Sequence, residues 1–187
     1  MPIIFIVLII VAIPFVVALF VKKTYSVERE ITINRPKIVV FEYLKYLKNQ
    51  EKFNKWTTMD PNMKKEYRGT DATVGFVSAW ESQNKNVGKG EQEIRKIMEG
   101  KRIECELRFI KPFAGVANAY MTTDSMSRNE TIVNWGFDSK MNYPMNLMLL
   151  FNIKERIGND LATGLTNLKN QLEHQQQPLI DVRNNNH

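Results

Sequence analysis

The run Pro2–Val21, PIIFIVLIIVAIPFVVALFV, holds twenty residues without one charge. At 1.5 Å per residue, a helix of that length extends about 30 Å, the thickness of a bilayer's hydrocarbon core. It therefore reads as a transmembrane anchor. Pro14 would break a soluble helix, but a membrane helix tolerates it when the freed carbonyl finds another partner. A secretory signal peptide is the competing reading. Against it, no basic stretch precedes the apolar run, and the one small-residue site, around Val16-Val17-Ala18, lies inside it. Lys22, Lys23, Arg29, Arg35 and Lys37 follow the run with no side-chain cation before it, so the positive-inside rule puts the rest of a single-pass chain on the cytoplasmic side.

Composition narrows what the remainder can be. With 187 residues, 43% hydrophobic and 25% charged, the chain suits one folded domain rather than a disordered or disulfide-framed one. The boundaries read as an anchor at 1–23, a folded domain at 24–175 and a flexible tail at 176–187. The single cysteine, Cys105, can form no internal disulfide, and the two histidines, His174 and His187, lie near the C-terminal end. Zinc chemistry and histidine-dependent catalysis thus have little to work with, and neither a metal nor a cofactor is expected. The net charge of +6 belongs entirely to residues 22–187, which suits a domain held beside anionic headgroups. Nucleic acid is not an expected partner, because 20 acidic residues are interspersed among the 26 basic ones and no recognition motif occurs. Oligomeric state leaves no mark in the sequence.

Periodicity supplies the architecture. Tyr25–Ile33 alternates as YSVEREITI, with Tyr25, Val27, Arg29, Ile31 and Ile33 on one face, the pattern of a half-buried strand interrupted by Arg29. Asn34-Arg35-Pro36 ends it and opens a helix over about Pro36–Leu47, and a second short helix follows near Gln50–Trp56. Beyond Lys65 the period is two. Strands are expected at about Lys65–Gly69, Thr73–Glu81, Gly88–Met98, Arg102–Phe109, Gly115–Thr123 and Glu130–Met141, and their short connections imply an antiparallel meander. In RIECELRF, Ile103, Cys105, Leu107 and Phe109 share the dry face, while Arg102, Glu104, Glu106 and Arg108 share the wet one. The same alternation turns Val74, Phe76, Ser78 and Trp80 inward, then Ala117, Ala119 and Met121, then Val133, Trp135 and Phe137. A closing helix carries an apolar stripe that starts in the crowded Met145–Phe151 and runs through Ile157, Leu161, Leu165, Leu168 and Leu172.

Strand, two short helices, six antiparallel strands and a long last helix describe an α+β helix-grip fold: a curved seven-stranded antiparallel sheet around the C-terminal helix, preceded by one transmembrane helix. The stretches YSVEREITINRPKIVVFEYLKYLKNQEKFNKW, VGKGEQEIRKIMEGKRIECELRFIKPF and NYPMNLMLLF resemble the polyketide cyclase/dehydrase and START-like (SRPBCC) superfamily, whose fold is shared with the birch-pollen allergen. The resemblance covers about Tyr25–Leu172 and is similar to membrane-anchored bacterial members. It implies a fold rather than a reaction, because the superfamily includes enzymes, lipid carriers and chaperone-associated domains.

A strongly bent sheet is not filled by one helix, so an elongated apolar cavity is expected between them, suited to an apolar small molecule or lipid. The candidate lining is Arg29, Phe76, Trp80, Gln92, Phe109, Met121, Trp135, Leu149, Leu161 and Leu165, with Arg29 and Gln92 as the polar groups that orient a ligand. Taken singly, each apolar member also reads as ordinary core. Catalytic constellations are missing: Cys105 has no histidine to activate it, and Glu104 and Glu106 share the wet face with arginines. The alternative is a cyclase- or dehydratase-type enzyme acting in the same cavity, with Arg29, Tyr120 or Asp138 supplying an acid or base. A ligand-free interaction module is a third reading.

Overall fold

The computed structural model describes residues 2–174, with the side chains of residues 2–4 and 6–9 outside the description. The tail at 176–187 also lies outside the described residues. Helix α1 (Pro2–Phe20) is followed by β1 (Thr24–Ile33), the helices α2 (Lys37–Leu44), α3 (Leu47–Phe53) and α4 (Lys55–Met59), and six further strands. These are β2 (Lys64–Arg68), β3 (Val77–Glu81), β4 (Lys89–Met98), β5 (Arg102–Lys111), β6 (Gly115–Ser127) and β7 (Glu130–Lys140). A 3₁₀ segment (Met145–Leu150) and α5 (Ile153–His174) complete the order. The seven strands form one curved antiparallel sheet, β1-β7-β6-β5-β4-β3-β2, with α5 laid across its inner face.

Among the described residues no helix is long and apolar enough to cross a membrane. Helix α1 runs for 19 residues with Pro14 inside it. Its far end is fastened to the domain. The buried Asn146 amide donates to the carbonyls of Ala18 at 2.6 Å and Val21 at 3.0 Å, satisfying acceptors that the end of a helix leaves without partners. The backbone N–H of Met141 donates to Lys23 O at 2.8 Å, so the chain leaving α1 lies against the end of β7.

Several local expectations change. The helix expected over Pro36–Leu47 divides, because α2 stops at Leu44 and α3 begins at Leu47. The new N-terminus is held from a distance: the Asp71 carboxylate accepts from Leu47 N at 2.9 Å and Lys48 N at 3.1 Å. Strand β3 starts only at Val77, since Ala72 and Gly75 adopt positive φ of 61° and 90° and turn the preceding residues out of extended geometry. Val74 is consequently exposed rather than inward. The pairing of β4 with β5 shifts between Ile94 and Lys96, a bulge that turns both Ile94 and Ile97 toward the core. The crowded apolar stretch before α5 is a separate 3₁₀ segment, in which Leu150, and after it Phe151, face outward.

Burial along the inner face is graded. On β5, Ile103 and Cys105 are buried, whereas Leu107 and Phe109 are half-buried. The buried end is packed by Ile33, Val40, Phe41, Ile94, Val133, Leu168 and Leu172. On α5 the last three turns seal this end, while Ile157 and Leu161 stand over the looser one. The outer face carries charge instead. Arg108 bonds Glu91 and Glu93, each at 2.7 Å, together with Glu106, and Arg95 reaches Glu106 at 2.7 Å. These guanidinium groups hold the carboxyls of Glu91 and Glu106 below their ordinary range. The wet face read from RIECELRF is thus a lattice of ion pairs, not an acid–base site.

Candidate functional site

The loosely packed end of the trough is hollow. A cavity of about 370 Å³ lies between the sheet and α5, within the roughly 300–1,000 Å³ that small-molecule sites occupy. Its apolar walls come from Leu107 and Phe109 on β5, Ala119 on β6, Trp135 and Phe137 on β7, and Leu161 on α5. The small Ala119 side chain stands between Cys105 and Phe137 in the pairing register and borders the cavity. The Trp80 ring lies over Gly90, where a Cβ would sit 2.6 Å from the indole. It meets Phe109 edge-on at 6.2 Å and donates from Nε1 to Val87 O at 3.3 Å.

One wall is polar. Glu51 on α3 accepts from Lys65 Nζ at 2.7 Å, Tyr67 OH at 2.9 Å and Ser78 Oγ at 3.0 Å, joining α3 to β2 and β3. Burial first, and then the Glu51 carboxylate, push the Tyr67 phenol up to about 12, so it stays protonated and donating at neutral pH. Beside this cluster, Gln92 Nε2 donates to Gln50 Oε1 at 3.3 Å, and Gln50 Nε2 donates to Leu44 O at 3.0 Å. Such an arrangement can desolvate a ligand's apolar body and offer oriented amide, hydroxyl and ammonium groups at one side. Deeper in, burial pushes the Cys105 thiol up to about 12, which removes it as a nucleophile near neutral pH. Among the described residues, no group of three or more His, Cys, Asp or Glu side chains is placed to hold a metal ion.

The residues expected from sequence divide into three sets. Trp80, Gln92, Phe109, Trp135 and Leu161 line the main cavity, and Met121 lines a small adjoining pocket with Gln92 and Trp135. Phe76 and Leu165 are wholly buried in the packed core, and Leu149 packs against that core from the 3₁₀ segment. Arg29 is outside both cavity walls. It does face α5, but its guanidinium lies where Gly158 leaves a gap, a Cβ there falling 2.2 Å from Nη2, and it pairs with Glu155 at 3.5 Å. Neither of the other enzymatic candidates lines the main cavity: Tyr120 contributes to the small adjoining pocket but its hydroxyl donates to Glu28 at 2.6 Å, and Asp138 accepts from Ser26. The Glu51–Lys65 pair was not expected. Its signal was the inward phase of Ser78 and Trp80, but Lys65 joins that face only through its register with Trp80, a long-range pairing.

No protein-family profile and no curated protein matches the chain. Solved structures do. Norcoclaurine synthase from Thalictrum flavum superposes with a TM-score of 0.64 at 7% identity, covering 83% of this chain and 98% of that one. A second structure of that enzyme, in complex with dopamine and hydroxybenzaldehyde, gives 0.63 at 9% identity, covering 86% and 94%. Major latex-like protein 151 from Panax ginseng gives 0.55 at 15% identity, covering 80% and 97%. At these identities the likeness speaks for architecture alone, and the architecture is a helix-grip fold of the Bet v 1/SRPBCC type.

Proposed function

We propose that this chain is a membrane-tethered binding protein for an apolar small molecule or lipid, taken up between the sheet and α5. The observation that carries this reading is the cavity itself, about 370 Å³ and lined largely by apolar side chains with a cluster of polar groups around Glu51. The structural relatives support a small-molecule role, since the synthase structure that superposes on this chain holds dopamine and hydroxybenzaldehyde. The tether rests on Pro2–Val21, uncharged for twenty residues, and on α1 being helical from Pro2 to Phe20. Described α1 side chains from Ile10 to Phe20 are exposed apart from Ala18, as are Leu150 and Phe151 on the segment against which α1 ends, an apolar surface suited to lipid. Lys22 and Lys23 favour a cytoplasmic domain. A cyclase-type enzyme is the second reading, favoured by one feature, the Lys65–Glu51 pair inside the cavity. There the ammonium is already neutralised by its partner, so binding is the better fit.

The test is native mass spectrometry of the full chain released from membranes in mild detergent. Binding predicts a reproducible adduct of lipid-like mass, and protein that stays ligand-free after lipid supplementation contradicts it. Alkaline extraction tests the tether separately: the full chain should remain in the membrane pellet, and its release into the supernatant contradicts anchoring.

A further inference from the structure

We infer that the buried end of the occupant carries one uncharged oxygen, a hydroxyl or a carbonyl, read by the side-chain amides of Gln50 and Gln92; this rests on the binding reading above and names the class of molecule bound. The two amides stand where the main cavity adjoins a much smaller pocket of about 10 Å³, and both spaces count Gln50, Gln92, Ala119 and Trp135 among their walls. That volume is about what a single oxygen needs. The other walls of the small pocket include Ile103, Cys105 and Met121, none more than 5% exposed, so it belongs to the packed side of the trough. Register places Gln92, which lies opposite Ser78 on β3 and Leu107 on β5, both of them cavity residues. Gln50 arrives from α3 and is 6% exposed, an amide almost withdrawn from water.

Bonds within the protein leave part of this pair unused. Each glutamine amide offers two N–H donors and a carbonyl oxygen with two lone pairs. Gln50 Nε2 gives one N–H to Leu44 O at 3.0 Å, and Gln50 Oε1 accepts from Gln92 Nε2 at a long 3.3 Å. Gln92 also hydrogen-bonds the Cys105 sulfur. Among the described residues no other group bonds either side chain, so the second N–H of Gln50 and a lone pair on Gln92 Oε1 remain for an occupant. A hydroxyl can accept from the one and donate to the other, and a carbonyl can accept from the N–H. An alkane of the same shape would bury both groups dry, and an unmatched buried donor or acceptor costs more than the bond itself contributes. An ionised head fits worse. The amides bring no charge to oppose it, Glu51 and Lys65 already bond each other at 2.7 Å, and Lys111 and Lys140 end their strands on the outer phase of the sheet.

Photolabelling of the full chain in phosphatidylcholine vesicles tests this, with label sites read by tandem mass spectrometry. The probes are a long-chain primary alcohol, the matching methyl ketone and the matching alkane, each bearing a diazirine, and the oxygenated pair are made with it at either end. The readout is cavity label from alcohol or ketone divided by that from alkane. Gln92→Met keeps the length of the side chain and removes its amide; it should lower that ratio about fivefold, while alkane label holds or rises and so reports an intact cavity. Gln92→Asn, which retracts the amide, should fall between the variant and wild type. A diazirine beside the oxygen should mark Cys105 or Met121, and one at the far end should mark Phe113 or Met141. Alcohol label above ketone label assigns the contact to Gln92 Oε1, and parity assigns it to the N–H groups; both support the inference. A ratio unchanged in both variants, or an oxygen end found at Phe113 or Met141, overturns the inference and leaves the binding reading standing. Absence of cavity label from every probe overturns both.

Discussion

The two ends of the trough are built from the same strands yet packed differently. At the closed end, Ile33, Ile94, Ile103 and Val133 meet Leu165 and Leu168 of α5, and each is at most 1% exposed. At the open end, Leu107, Phe109 and Phe137 are half-buried and face a void over Ala119. The difference arises from what covers the sheet. Helix α2 supplies Val40, Phe41 and Leu44 to the closed end, whereas at the open end the first turns of α5, with Leu47, Gln50 and Glu51 of α3 and Trp56 of α4, surround a cavity rather than fill it. Inward alternation alone therefore does not distinguish a core residue from a cavity wall; the second layer does.

The largest expected effect breaks the comparison if it is absent. Leu168→Ala removes a fully buried side chain and should cost about 2–5 kcal/mol in chemical denaturation, since little around it can collapse. Phe109→Ala should cost less than half as much despite the larger deletion, because its ring already borders empty space. Equal losses would mean that the open end is as tightly packed as the closed one.

Two glycines of α5 sharpen the same contrast. A Cβ at Gly164 would lie 2.6 Å from the Trp135 ring, which Phe53 holds edge-on at 5.8 Å. Gly164→Ala should therefore lose about 1–3 kcal/mol to overpacking, more than the ~1 kcal/mol gained in helix propensity. At Gly158 the obstacle is the end of a flexible Arg29 side chain, 34% exposed, which can swing aside. Gly158→Ala should be neutral or slightly stabilising in thermal unfolding, and a loss as large as that at Gly164 would contradict the placement of Arg29.

Chemical probes give smaller effects. Cys105 should react with a thiol reagent at pH 8 only as fast as the protein unfolds, because burial pushes its thiol up to about 12; rapid labelling of the native chain would contradict its position. Tyr67, held up to about 12 by burial and Glu51, has a folded value above its unfolded value of about 10. Its contribution to stability is complete below about pH 10 and is lost as pH rises toward 12. Ultraviolet titration of the wild type minus Tyr67→Phe should show a phenol ionising in that upper range, not near 10.

Much of the fold was legible because sheet and helix impose simple periods. RIECELRF displayed both faces of β5, and the antiparallel order followed from short turns. What escaped depended on contacts between segments distant in sequence. The Asp71 cap divides α2 from α3 across more than twenty residues, and positive φ at Ala72 and Gly75 sends Val74 outward. The phase of Arg29 was readable, but its pairing with Gly158 was not, since a glycine in a helix announces no partner. The polar wall was hidden for the same reason, with Glu51, Lys65 and Ser78 meeting only once three elements are assembled.

Thermal unfolding of the full chain carrying Ala119→Trp tests the hollow open end most directly. The account predicts a melting temperature within about 2 °C of wild type, or above it, because the indole enters space already present, together with loss of the lipid-like adduct. A fall of several degrees with the adduct retained would contradict it, showing that Ala119 abuts filled core and that any ligand binds elsewhere.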